Sequence, residues 1–145
     1  MQIYTIGYTR KSAEAFFATL KGAGVKKVID VRINNTSQLS GFTKKNDLAF
    51  FLGRLINVEY DHYIDLAPTK NLLAEYRRTR DWETYAESYL ELLSARRVYK
   101  KYTPGSFANA CLLCSEPEPH RCHRRLAVEF LMSHWGRNDI QVVHL

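Results

Sequence analysis

The residues best equipped for chemistry lie in one short stretch, Cys111 to Arg125, which reads Cys-Leu-Leu-Cys-Ser-Glu-Pro-Glu-Pro-His-Arg-Cys-His-Arg-Arg. Thiolates are nucleophiles and metal ligands, Glu and His move protons, and Arg binds phosphate or carboxylate in a bidentate fork. The run Ala110-Cys111-Leu112-Leu113-Cys114 is nearly continuous in apolar residues, as expected of a strand covered on both faces. Such a strand delivers Cys114 into a loop that Pro117 and Pro119 restrict, which lowers the entropy lost on ordering it. The next helix is expected to start near Arg121 or Cys122, and its first turn then offers free N–H groups and the positive end of the dipole. An anion is favoured there, with Arg124 or Arg125 adding a bidentate contact. A thiol in that turn ionises more readily, which nominates Cys122 as a candidate thiolate.

Each residue also has a plainer role. Cys111 reads as a small buried apolar side chain, and Cys114 divides evenly between that and the site. Glu116 can bond nearby backbone N–H groups, Cys122 and His123 can be packing residues, and Arg125 reads as a surface ion-pair partner. Cys111-x-x-Cys114 has zinc spacing, but residues three apart on a strand point to opposite faces, so the pair is a poor chelate and a poor redox couple. Cys114, His120, Cys122 and His123 form a minor zinc alternative, and Cys114 with Cys122 a minor redox one. No metal or cofactor is assigned, and no Gly-rich dinucleotide or P-loop motif occurs.

The elements that must position these groups alternate in type. Gln2–Ile6 reads as a strand ended by Gly7, Ser12 caps a helix carrying Phe16, Phe17 and Leu20, and Val28–Val31 reads as a second strand with Arg32 at its end. A polar loop spans 34–42, Asn46 caps a helix through Leu55, and Val58–Tyr60 is a short strand. The region 69–101 is helical, in two pieces broken near Asp81, and a final strand covers Ile140–His144. One domain over 1–145 is expected: an α/β, three-layer, open, mostly parallel sheet of about five strands with helices on both faces. Ligands in such sheets bind beyond the carboxyl ends of the strands. That end gathers Tyr8, Thr9 and Arg10 from one loop, Arg32 from another, His62 from a third, and Cys114 to His123 from the fourth.

The 145 residues carry a formal charge of +6, which favours an anionic partner, either a small anionic substrate or nucleic acid. No apolar stretch approaches the ~20 residues that span a bilayer, so no membrane association is expected. The start lacks a signal-peptide pattern and the three cysteines are odd in number, so reduced thiols and a cytoplasmic location are expected.

Tyr4-Thr5-Ile6-Gly7, Ile29-Asp30-Val31-Arg32, Leu66-Ala67-Pro68-Thr69-Lys70, Cys114-Ser115-Glu116 and Cys122-His123-Arg124 together resemble the uncharacterised family known as domain of unknown function 488. The combination Cys-x-Glu followed by Cys-His-Arg is the most specific part. That family commonly has His and Ser after the first Gly, where this chain has Tyr8-Thr9, and Pro-x-Ser after the Asp-Val-Arg, where it has Asn34-Asn35-Thr36-Ser37. If the family His is catalytic, Tyr8 or His62 must supply the proton transfer here. The resemblance implies the fold and the place of the site and supplies no reaction. Asp-Val-Arg also looks like part of a rhodanese domain, but Pro and Glu stand where such a domain has a Gly-rich anion loop.

The expected function is that of an enzyme on a phosphate-bearing or other anionic substrate. Arg32 and Arg124 bind the anion with help from Arg10, Tyr8, Thr9 and His62. Glu116 serves as general acid or base, Cys122 or Cys114 as nucleophile, and His123 as proton carrier. The alternative is a binding module without catalysis, in which Tyr76, Tyr99 and Tyr102 among Arg77, Arg78, Arg97, Lys100 and Lys101 meet nucleic acid or a protein.

Overall fold

The computed structural model describes residues 1–145. Five strands form one wholly parallel sheet: β1 (Gln2–Gly7), β2 (Lys27–Asp30), β3 (Glu59–His62), β4 (Ala110–Cys114) and β5 (Gln141–His144), in the spatial order β3-β2-β4-β1-β5. Every connection is a crossover carrying helix, as parallel pairing requires. The helices are α1 (Ala13–Gly22), α2 (Lys45–Ile56), α3 (Lys70–Thr79), α4 (Trp82–Ala95), α5 (Val98–Lys101) and α6 (His123–Trp135).

Strand β4 is central and buried along its whole length, which its unbroken apolar composition demands. Alternation along it splits the core. Leu112 and Cys114 join a cluster with Tyr89, Leu93, Ala127, Val128 and Leu131 on the face covered by α4 and α6. Cys111 and Leu113 face the other way, onto Phe16, Phe17, Leu20, Leu48 and Leu52 of α1 and α2. The two cysteines therefore lie on opposite faces of the sheet, in different layers. Helices on both faces complete the three-layer α/β architecture expected of the sequence.

The caps explain most boundaries. The Ser12 hydroxyl accepts from the Ala15 amide at 3.1 Å and starts α1, and Asp81 accepts from Thr84 and starts α4. The expected cap at Asn46 gives way to Lys44, which offers no side-chain acceptor, and the polar loop before it contains a 3₁₀ turn, Gln38–Thr43. The long helical region proves to be three helices: Arg80 and Arg97 adopt left-handed backbone, at φ 57° and 52°, and end one helix or begin the next. No helix is long and apolar enough to cross a membrane.

Register then builds the site. Gly7 pairs with Cys114, Asp30 with Leu113, and Asp30 with His62, so the carboxyl ends of four strands finish side by side.

Candidate active site

Two buried arginines organise these strand ends, one on each face of the sheet. Arg32, 3% exposed, returns to Asp30 on its own extended segment: Nε and Nη2 each donate to that carboxylate at 2.8 Å. Thr43 accepts two further guanidinium hydrogens through its hydroxyl and its carbonyl. Tyr60 and Asn35 donate to the far carboxylate oxygen at 2.6 and 3.2 Å. Burial raises the Asp30 carboxyl, but the Arg32 hydrogen bonds and charge outweigh it and hold Asp30 below its ordinary value.

Arg124 has no such carboxylate. Its side chain, 0% exposed, takes part in none of the protein's ion pairs. Nε donates to Thr5 Oγ1 at 3.3 Å, Nη2 to the Pro117 carbonyl at 3.3 Å, and Nη1 to the Glu116 carbonyl. Nη1 also lies 2.9 Å from Cys114 Sγ and 3.7 Å from Cys122 Sγ. One guanidinium thus ties β1, the end of β4 and the 115–121 loop to the start of α6. Arg125 holds the rest of that loop through the His120 carbonyl at 3.0 Å and pairs with Glu129 on the surface.

The two thiols beside Arg124 diverge. Burial raises Cys114, but the hydrogen bond from Cys122 and the charge and hydrogen bond of Arg124 outweigh it, so Cys114 ionises below an ordinary cysteine. Burial and the neighbouring Cys114 sulfur push Cys122 well up, leaving it a thiol that donates. These directions favour Cys114 over Cys122, the thiol that placement in a first turn would nominate. Cys122 caps α6 and does not enter its first turn, and its side chain is buried, with Sγ 3.7 Å from Arg124 Nη1. Cys111, buried on the other face, is raised chiefly by desolvation, which outweighs the charge of Arg124, with Cys114 adding to the rise.

His123 is the first residue of α6. Its Nε2 is 2.8 Å from the Val31 carbonyl, and its ring meets Tyr89 edge to face. Burial, reinforced by the charge of Arg124, lowers its pKa to about 4, so the ring is neutral, Nε2–H donates to Val31 and Nδ1 is free to accept. A base this weak is a poor proton carrier at neutral pH. It also couples stability to pH. The folded protein resists protonation until about pH 4, whereas an ordinary His protonates near 6.5. The stability His123 confers is fully present above pH 6.5 and is lost as pH falls from 6.5 to 4, by on the order of 3 kcal/mol. Urea unfolding at stepped pH should show that decline, and His123→Gln should flatten it.

Gly7 is required by space, since a Cβ there would sit 1.6 Å from the Glu116 carbonyl oxygen and 2.9 Å from Arg124 Nη1. Gly7→Ala must push the loop off Arg124. We expect a loss of about 1–3 kcal/mol in chemical denaturation, with faster proteolysis in the 115–121 loop.

Over Cys114 opens a cavity of about 340 Å³. Its floor is Cys114, Cys122 and His123, with Ser115 and Glu116 at one side and Arg32, Ile33 and Asn34 at another. Pro68, Leu73, Tyr76 and Tyr85 form an apolar wall, and Arg77, Arg80 and Arg121 contribute the cations. The fold thus brings together Cys114, Glu116, Cys122, His123 and Arg32 of the residues singled out in the sequence.

The others lie outside the cavity. Tyr8 packs with the α1–α2 core, its ring beneath Arg32 at 5.4 Å. The Thr9 hydroxyl and amide donate to the Ser115 carbonyl, and His62 bonds the Arg32 carbonyl at 2.8 Å. Arg10 is exposed on left-handed backbone. Thr9 and His62 thus hold loops in place. Arg32 and Arg124 are committed to protein acceptors, so the free cations are Arg77, Arg80 and Arg121. Sequence reasoning placed Arg77 on a basic surface and passed over Arg80 and Arg121; the one available signal was three unpaired arginines flanking Tyr76 and the Cys-His-Arg motif. No group of three or more His, Cys, Asp or Glu side chains is placed to hold a metal ion.

The model of the family described as domain of unknown function DUF488 matches residues 12–131. No curated protein and no solved structure matches the chain. The match takes in β2, β4, the 115–121 loop and most of α6, and with them every residue on the cavity floor, so this chain belongs to the DUF488 family.

Proposed function

We propose that the protein is an enzyme that uses the Cys114 thiolate as a nucleophile on a small anionic substrate held in the cavity above it. The observation that carries this reading is the buried guanidinium of Arg124 with no carboxylate to balance it. A buried charge without a counter-ion is strongly unfavourable, and Arg cannot shed its proton. The one group in contact that can supply a negative charge and is held below its ordinary pKa is the Cys114 thiol. Arg124 is then an activator of the nucleophile, and Cys122 a donor that stabilises the thiolate.

The remaining parts fit that role. Cys114 sits at the carboxyl end of the central strand, where open parallel sheets place their ligands. Glu116 is exposed at the cavity side and can exchange protons with a leaving group. The volume, at the lower end of the ~300–1,000 Å³ typical of small-molecule sites, suits a metabolite better than a nucleic-acid strand.

Selective alkylation tests the assignment. Brief treatment of the folded protein with iodoacetamide at pH 7, followed by peptide mass mapping, should label Cys114 and leave Cys111 and Cys122 unmodified. Labelling of Cys122 ahead of Cys114 would remove the basis of the proposal.

A further inference from the structure

The charge lining the cavity is unbalanced in a way that specifies the substrate. Arg77, Arg80 and Arg121 are all exposed and join none of the protein's ion pairs. The other charges nearby cancel: Arg32 against Asp30, and Arg124 against the Cys114 thiolate of the reading above, on which this inference rests. Three free guanidinium groups against the single Glu116 carboxylate leave the lining two positive charges in excess. A carboxylate substrate offers one negative charge. A phosphate monoester offers −1.5 to −2, roughly the amount needed, with oxygens in the geometry that guanidinium forks match.

The opposite wall specifies the rest of the molecule. Pro68, Leu73, Tyr76 and Tyr85 give the cavity its apolar lining, with Leu73 and Tyr76 half-buried and Pro68 and Tyr85 buried behind them. Tyr76 and Tyr85 lie with centroids 4.7 Å apart at 32°, backed by Trp82 at 5.8 and 5.5 Å, which makes a rigid aromatic bank. Tyr85 is 4% exposed, yet its hydroxyl bonds no protein acceptor and is not among the sealed, unpartnered atoms. The hydroxyl is left a spare donor on a residue that lines the cavity. Burial, then the nearby Cys122 and Cys114, raise its pKa and keep it protonated.

The helix carrying much of this wall contributes little to the core, through Leu72 at its edge. Among α1 to α6, α3 is the one that buries no residue; it packs chiefly on α4 and ends at Arg80 in left-handed backbone. Its inner side bears Leu73, Tyr76 and Arg77, all on the cavity.

We infer that the cavity takes a phosphate monoester of a small ring-bearing molecule, with the phosphate on Arg77, Arg80 and Arg121 and the ring against Tyr76 and Leu73. The volume suits a body of one ring system with its phosphate.

Calorimetric titration of the intact protein with phenyl phosphate, a nucleoside 5′-monophosphate, inorganic phosphate and benzoate tests the inference. At least one ring-bearing phosphate should bind ten-fold or more tighter than both inorganic phosphate and benzoate, and should slow iodoacetamide labelling of Cys114. Arg77→Ala with Arg80→Ala should cost at least ten-fold in that affinity, and Tyr76→Ala should lower it while leaving the weak binding of inorganic phosphate unchanged. Equal affinity for inorganic phosphate would make the site an adventitious anion site, and equal affinity for benzoate would remove the phosphate; either result overturns the inference, as does no binding at all. Failure here with rapid, selective labelling of Cys114 leaves the nucleophile standing. Slow labelling with tight phosphate binding does the reverse.

Discussion

Arg124→Met is expected to slow alkylation of Cys114 at pH 7 by at least about ten-fold and to reduce the free energy of unfolding by about 3 kcal/mol. The first effect follows from the thiolate: without the cation 2.9 Å away, burial dominates and the thiol returns above its ordinary pKa, as Cys111 does. The second follows from the acceptors left behind. The carbonyls of Glu116 and Pro117 and the Thr5 hydroxyl lose their donor inside the protein, at about 1–3 kcal/mol for each that water cannot reach. Arg124→Lys separates the two effects. Its ammonium keeps a charge near Cys114 but has three donors on one atom in place of a planar fork. Alkylation should remain closer to the wild-type rate while much of the stability is lost. Iodoacetamide kinetics and urea titrations on the same three proteins make the comparison.

Asp30→Asn is expected to be the most destabilising isosteric change in the protein, at about 3–5 kcal/mol. The carboxylate accepts from Arg32, Tyr60 and Asn35 in a site with no exposed surface, and an amide presents hydrogens to donors while leaving the Arg32 charge unpaired. The double variant Asp30→Asn, Arg32→Met should recover much of the loss, because removing both charges removes the cost of burying one alone. Because Arg32, Asn35 and Thr43 lie in the segment that leads from β2 to the cavity edge at Ile33 and Asn34, the single variant should also loosen that edge.

How far the sequence exposes this arrangement depends on the kind of signal involved. The alternation of β4 places Cys111 and Cys114 on opposite faces, and the structure has them in separate cores. The strand–helix alternation foretells the three-layer parallel sheet, and the strand-end rule leads to Cys114, Glu116, Cys122 and His123. The thiolate we propose escapes, because the charge that favours Cys114 comes from Arg124, ten residues on, and because Cys122 caps α6 instead of entering its first turn. The burial of Arg124 leaves a trace that is easily discounted. It shares the i, i+3, i+4, i+7 face with Ala127, Val128 and Leu131, all buried, and periodicity alone treats an arginine there as an interruption. Arg80 is hard to place because α3 buries no stripe that would reveal where it docks, and Arg121 because it stands in a loop without periodicity.

The pairing of Arg124 with a Cys114 thiolate is the premise on which nucleophile, activator and charge balance all depend. Thiolate absorbance near 240 nm, titrated against pH in the wild-type protein and in Cys114→Ser, isolates the ionisation of that one sulfur. The difference curve should have its midpoint below the ~8.5 of a free cysteine, and the Arg124→Met protein should lack it. A midpoint at or above that of a free cysteine, or a difference curve unchanged by Arg124→Met, would contradict the account.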